Sequence, residues 1–328
     1  MIYIENSSTN PFFNLACEEY CLKTLDLEDD IVMLWRDDNS IIVGKHQNTI
    51  EEINGRYVAE NNIRVARRIT GGGAVYHDLG NLNYTFIVRI DRADMLDMKK
   101  YGLSVVKALA KMGITAELSG RNDITIDGRK FSGTAQAVHK NRLLYHGTLL
   151  FDSNMEVLSK ALNVKLDKIE SKGVKSVRSR VTNIKEHLRE DYGIMEFKRI
   201  LLQYLFEGET YKEYVLTDHD IEQIKALEQG KYSTWDWNYG ESPRCNLSNS
   251  KRFPGGKVEV CMNITDGVID SCRFYGDFLG SSGVEDVERL LVGKRYDRNE
   301  VGSALDTVDL TGYFGNITRD ELLSCIFE

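Results

Sequence analysis

The chain has 328 residues, 42% hydrophobic and 28% charged, and its 42 Lys and Arg against 50 Asp and Glu give a net charge of −8. That length supports one large domain plus a small one, and only three prolines leave little room for long disordered stretches. The acidic balance argues against nucleic acid as a partner, no run of about 18 apolar residues offers a membrane span, and the amino terminus lacks an export pattern, so a cytoplasmic, monomeric protein is expected. The cysteines at 17, 21, 245, 261, 272 and 325 have neither disulfide-scaffold density nor zinc-site spacing, so reduced thiols are expected, with Cys17 and Cys21 as buried small residues on one helix face.

A helix is expected over 11–25, capped by Asn10 with Pro11 at its first position and Phe12, Leu15, Ala16, Tyr20 and Leu22 on its apolar side. Strand-forming runs follow at 31–36, 41–44, 63–67, 74–77 and 82–90. Helical spacing returns over 94–112. Asp127-Gly128 then predicts a two-residue hairpin turn that places Lys130 on a rigid strand, and a second reversal is expected at Lys140-Asn141. Helices are expected over 154–162, 194–206 and 218–228. The aromatic, turn-rich stretch 232–243 reads as a linker. Beyond it come a hairpin around Asp266-Gly267 and helices over 282–292 and 318–327. Strands with irregularly inserted helices predict an α+β class: a mixed or antiparallel sheet core with flanking helices over 1–243, and a small α+β accessory domain over 244–328.

Chemistry concentrates at Arg67-Arg68-Ile69-Thr70-Gly71-Gly72-Gly73-Ala74-Val75-Tyr76-His77-Asp78. Three glycines strip side chains from a turn so that its N–H groups can approach a phosphate or carboxylate, and arginine ahead of it offers a forked cation. A flexible hairpin with solvated arginines is the bland alternative, outweighed here by the flanking residues. Neither nucleotide-binding glycine motif of known mechanics is present.

This stretch, continued to Asn81, resembles the signature loop of lipoate-protein ligases. So do the segments 120–136, 145–150 and 172–181, in the same order and spacing, and the likeness extends from 14–19 through the linker into the final domain. The resemblance implies a biotin/lipoate ligase-like catalytic domain that uses ATP and Mg²⁺ to convert lipoate to lipoyl-AMP. It also implies transfer to a lysine of a lipoyl-domain protein, a dehydrogenase E2 subunit or the glycine-cleavage H protein. It makes Lys130 the catalytic residue in contact with both lipoate and adenylate, with Arg68, Gly73, Ala74, Val75 and Tyr76 on the nucleotide and Gly72 and His77 beside lipoate. Asn122 and Asp123 would orient Lys130 or place Mg²⁺, with Asp123 the candidate metal ligand; a plain turn is the alternative. His146 and Thr148 also match, with a satisfied core histidine as the bland account. The basic segment 165–185 is either a solvated loop or a lid that attracts an acidic acceptor.

Related octanoyl or lipoyl transferases use a cysteine nucleophile, and no cysteine lies between Cys21 and Cys245. Biotin-protein ligases would show a Gly-Arg-Gly-Arg loop, which is missing. A non-catalytic lipoyl-adenylate-binding protein would be expected to lack Lys130.

Overall fold

The computed structural model describes residues 1–90, 99–120, 122–162, 180–239 and 246–328. Its strands are β1 (Ile2–Ile4), β2 (Ile31–Trp35), β3 (Ser40–Val43), β4 (Arg64–Arg67), β5 (Val75–His77), β6 (Asn81–Arg89), β7 (Glu117–Ser119), β8 (Asp123–Ile126), β9 (Arg129–His139), β10 (Arg142–Leu150) and β11 (Lys212–Tyr214). These are followed by β12 (Leu247–Phe253), β13 (Gly256–Thr265) and β14 (Val268–Gly276).

Eight strands form one mixed sheet in the order β11-β1-β2-β6-β10-β9-β8-β7. β11, β1 and β2 run parallel, and every later pair is antiparallel. Both faces are buried, which explains the unbroken apolar run of β2. Val32 and Leu34 pack on one face with Val105, Leu109, Phe197 and Leu201. Ile31, Met33 and Trp35 pack on the other with Leu15, Tyr20 and Leu22 of α1 (Pro11–Lys23). Asn10 accepts from the Phe12 N–H, and Pro11 opens α1 as expected.

A second sheet, β4-β3-β5, carries the arginine pair and the glycine turn. The two dipeptide turns adopt left-handed backbone at both positions: φ is 49° and 71° at Asp127 and Gly128, and 50° and 78° at Asp266 and Gly267. Residues 247–327 enclose their own core, in which the sheet β12-β13-β14 packs Val258, Val260 and Phe274 against Val287, Leu291, Leu305 and Leu322.

Several expectations shift. The stretch taken as a linker contains a π-helical turn, Glu228–Tyr232, and a helix, Trp235–Tyr239. Trp237 Nε1 donates to Arg67 O at 2.8 Å, so this segment is pinned to β4. The 94–112 helix is observed over Lys99–Lys111, with 91–98 outside the described residues. The 243/244 boundary, Cys245 and most of the basic 165–185 segment also lie outside them. Cys17, Cys21, Cys272 and Cys325 are free and buried.

Candidate active site

Lys130 is the second residue of β9, just past the hairpin turn. Its backbone is fixed on its outer side by the returning chain: Lys130 N donates to Arg180 O at 2.8 Å and Thr182 N donates to Lys130 O at 2.9 Å. Its Nζ lies 2.7 Å from Asp123 Oδ1, with both side chains roughly 40% exposed (38% and 40%). A Cβ added at Gly133 would stand 3.1 Å from Lys130 Nζ, so the ammonium group lies across the space that a side chain there would fill. Gly133 N donates to Thr148 Oγ1 at 3.2 Å. Asn122 instead locks β8 to β9: its Nδ2 donates to Thr134 O at 3.0 Å, and its carbonyl accepts from Thr134 N at 2.8 Å.

The triglycine turn is built for close approach. Gly72 has φ 91°, and a Cβ at Gly44 would fall 2.0 Å from Gly72 O. A Cβ at Gly71 would fall 2.6 Å from Phe278 O, where the C-terminal region packs against the turn. Gly73 meets no such neighbour. Among the described residues, the N–H groups of Gly71, Gly72, Gly73 and Ala74 donate to no other protein group. Unspent donors on a glycine turn are what an anion site needs.

Beneath this turn both arginines are committed to oxygen acceptors of the protein. Arg67 Nε donates to Trp237 O at 2.8 Å, Nη1 to the carbonyls of Gly44, Lys45 and Gln47 at 3.0, 3.1 and 2.7 Å, and Nη2 to Thr49 Oγ1 and Asn238 O at 2.7 and 3.2 Å. Arg68 holds Gly71 O, Gly73 O, Ile42 O and Thr70 Oγ1. Burial pushes the Arg68 pKa down to about 10, against the pull of Glu18, so it remains a cation at neutral pH.

Thr70 links the turn to the large sheet, since its Oγ1 lies 2.8 Å from His146 Nε2. His146 Nδ1 in turn lies 3.0 and 3.1 Å from the two Glu18 oxygens. His146 and Thr148 alternate onto the same face of β10. The β10–β9 register places Thr148 beside Gly133, over which Lys130 lies. Turn and ammonium therefore face one side of the β9–β10 pair.

The remaining candidates divide. Val75 begins β5, and Tyr76, 4% exposed, directs its phenol 3.1 Å from Asn39 Oδ1, away from the turn. His77 Nδ1 lies 2.8 Å from Asp37 Oδ2, while its buried Nε2 has no partner among the described residues. Glu18, Thr70 and Asp37 were not anticipated. Glu18 left one trace, an acidic pair inside an otherwise apolar helical stretch, Leu15 to Leu22. No group of three or more His, Cys, Asp or Glu among the described residues is placed to hold a metal ion.

A family model described as the lipoyl protein ligase A/B catalytic domain matches residues 10–206, and one for the bacterial lipoate protein ligase C-terminus matches 242–326. Lipoate-protein ligase LplJ of Bacillus subtilis is 49% identical, with 100% of each chain covered. Among solved structures, P. falciparum LipL1 in complex with lipoate superimposes with a TM-score of 0.80 at 26% identity, covering 94% of both chains. The bi-partite lipoate protein ligase of Thermoplasma acidophilum, solved in a study of it and its E2 lipoyl domain, gives 0.66 at 31% identity, covering 75% of this chain and 98% of that one. With its full length matched, the chain belongs to the lipoate-protein ligase family, of the lipoate-protein ligase A type with a C-terminal domain.

Proposed function

We infer that this ATP-dependent lipoate-protein ligase works in two steps at the face shared by Lys130 and the triglycine turn. In the first, a lipoate carboxylate oxygen attacks the α-phosphorus of ATP, forming lipoyl-AMP and expelling pyrophosphate. In the second, the neutral amine of an acceptor lysine attacks the acyl carbon, the amide bond forms, and AMP leaves. Both steps build negative charge, on phosphate oxygens and then on a carbonyl oxygen.

The observation that supports this reading is the placement, on one side of β9 and β10, of a half-exposed ammonium group and a glycine turn whose four backbone N–H groups are unspent among the described residues. Lys130 is the catalytic residue: its ammonium contacts the lipoate carboxylate, then the α-phosphate, then the transferring carbonyl. Asp123 holds it meanwhile, and the incoming carboxylate takes over that bond. Gly73 and Ala74 offer amides to the nucleotide, Val75 forms its wall, and Gly72 and His77 border lipoate, while the buried Tyr76 phenol, held by Asn39, supports β5 from behind rather than lining the nucleotide site. Asp123 supplies an oxygen suited to Mg²⁺, which would neutralise departing pyrophosphate and take its other oxygens from phosphate and water.

Residues 1–243 carry this chemistry and 244–328 form the accessory domain. The acceptor is a lipoyl-domain protein, an E2 subunit or glycine-cleavage H protein, as the lipoyl domain paired with the archaeal ligase suggests. The protein acts as a cytoplasmic monomer, and no helix among the described residues is long and apolar enough to cross a membrane.

Lipoate-dependent exchange of pyrophosphate into ATP, without acceptor, tests the first step. The wild-type protein is expected to exchange, and Lys130→Ala to lower the rate by roughly 100-fold or more, as loss of a charge-stabilising group does. Tight lipoate binding without exchange would leave only a binding protein.

A further inference from the structure

We propose that Arg68 is a positioning residue, which turns the carbonyls of the triglycine turn inward so that the opposite amides face the nucleotide, rather than a cation that meets phosphate itself. The proposal rests on the two-step reading above and assigns the origin of its anion cradle.

Arg68 is 6% exposed and lies beneath the turn. One nitrogen, Nη2, donates to both Gly71 O at 2.7 Å and Gly73 O at 2.9 Å. In a planar trans peptide the N–H points opposite to the C=O. With the Gly71 and Gly73 carbonyls drawn down onto Arg68, the Gly72 and Ala74 amides must point up and away from it. Those are two of the four amides without a protein partner. Nη1 is tied to Ile42 O at 3.0 Å, and Nε to Thr70 Oγ1 at 3.0 Å. Four donor contacts to protein oxygens leave the guanidinium little to offer a phosphate.

The arginine is itself held in register. Thr70 Oγ1 lies 2.8 Å from His146 Nε2, and His146 Nδ1 lies 3.0 Å from Glu18 Oε1. With the histidine proton on Nδ1, donors and acceptors close in one direction: Arg68 Nε–H to Thr70, the Thr70 hydroxyl to His146, and His146 to the Glu18 carboxylate. The chain runs from α1 through β10 to the turn, so the large sheet fixes the angle of the amides.

A lysine in place of Arg68 keeps the charge but cannot bridge two carbonyls while also bonding Ile42 and Thr70. Pyrophosphate exchange in the full chain, with ATP and lipoate varied separately, tests the difference. Arg68→Lys is expected to raise KM for ATP by roughly tenfold while KM for lipoate stays within about twofold. Thr70→Val changes no charge and removes the Nε acceptor, and it is expected to raise KM for ATP by about threefold or more. Near-wild-type KM for ATP in Arg68→Lys would show that charge alone suffices and overturn the proposal. If Arg68→Lys does not fold, Thr70→Val decides: an unchanged KM for ATP overturns the proposal and a raised one supports it. Failure of the wild-type chain to exchange would instead sink the two-step reading.

Discussion

Gly73 is the glycine of the turn on which the protein makes no steric demand. A Cβ there would meet nothing within 4 Å, and its φ lies outside the left-handed region, whereas Gly72 sits at φ 91° and Gly71 abuts Phe278 O. The fold makes no use of that volume, and under the proposed function the nucleotide does. Gly73→Ala should leave thermal stability unchanged or raise it by about 0.5 kcal/mol, since alanine restricts the unfolded chain. The same change should raise KM for ATP by roughly tenfold, by placing a methyl group where the nucleotide approaches the backbone. A thermal melt alongside exchange kinetics checks both halves. A variant that is destabilised but kinetically normal would move the nucleotide away from this turn.

Among the elements, α1 and the helix Asp218–Leu227 are joined by one carboxylate. Asp220, 4% exposed, accepts from Tyr20 Oη at 2.6 Å, Tyr214 Oη at 2.9 Å, Thr217 N at 2.7 Å and Thr217 Oγ1 at 2.8 Å. Burial opposes its charge, but the hydrogen bonds from Tyr20, Thr217 and Tyr214 prevail and push its pKa down to about 2. Its contribution is thus complete above the ordinary carboxylate range and lost only as pH falls through about 2. Asp220→Ala removes the N3 half of the capping box that Thr217 opens and strands the buried Tyr20 hydroxyl, so it should cost about 2–3 kcal/mol. Denaturant melts at pH 7 measure that loss. A cost below about 0.5 kcal/mol would mean that water replaces these contacts without loss.

The sequence made α1 and the hairpins legible because each depends on a local requirement: a cap at Asn10, or positive φ at Asp127-Gly128 and Asp266-Gly267. It hid β1 and β11, three residues each, because so short a run shows no period and their parallel partners lie far along the chain. The position of Lys130 on a strand just past a tight turn was legible from Asp127-Gly128. The contacts that set the turn were not, since Arg67 and Arg68 bind mostly main-chain carbonyls, which no side-chain pattern encodes.

Across the whole molecule, the catalytic face and the C-terminal region meet at a histidine. His46, 7% exposed, stacks on Phe278 with ring centroids 5.0 Å apart and planes 17° apart, and its carbonyl accepts from Gly276 N at 2.6 Å. Lys45 Nζ lies 3.5 Å from Glu285 Oε1 across the same seam. Burial pushes the His46 pKa down to about 3 from 6.5, with Lys45 and Arg67 adding to the effect. A depressed histidine pKa means that the packed state favours the neutral ring. Its full stability is present above about pH 6.5 and is progressively lost as pH falls toward 3. At pH 5 the seam should be weaker by about 2 kcal/mol, the linkage cost of keeping the ring neutral 1.5 units below its ordinary pKa. Because Phe278 O presses on Gly71, release of this contact frees one flank of the triglycine turn. Radius of gyration and protease susceptibility between pH 7.5 and 5 should therefore rise together in the wild-type chain. His46→Phe keeps an aromatic ring against Phe278 and removes the titrating group, so its response over the same range should be flat. Equal acid responses in the two proteins would place the pH dependence on another group and remove His46 from the account.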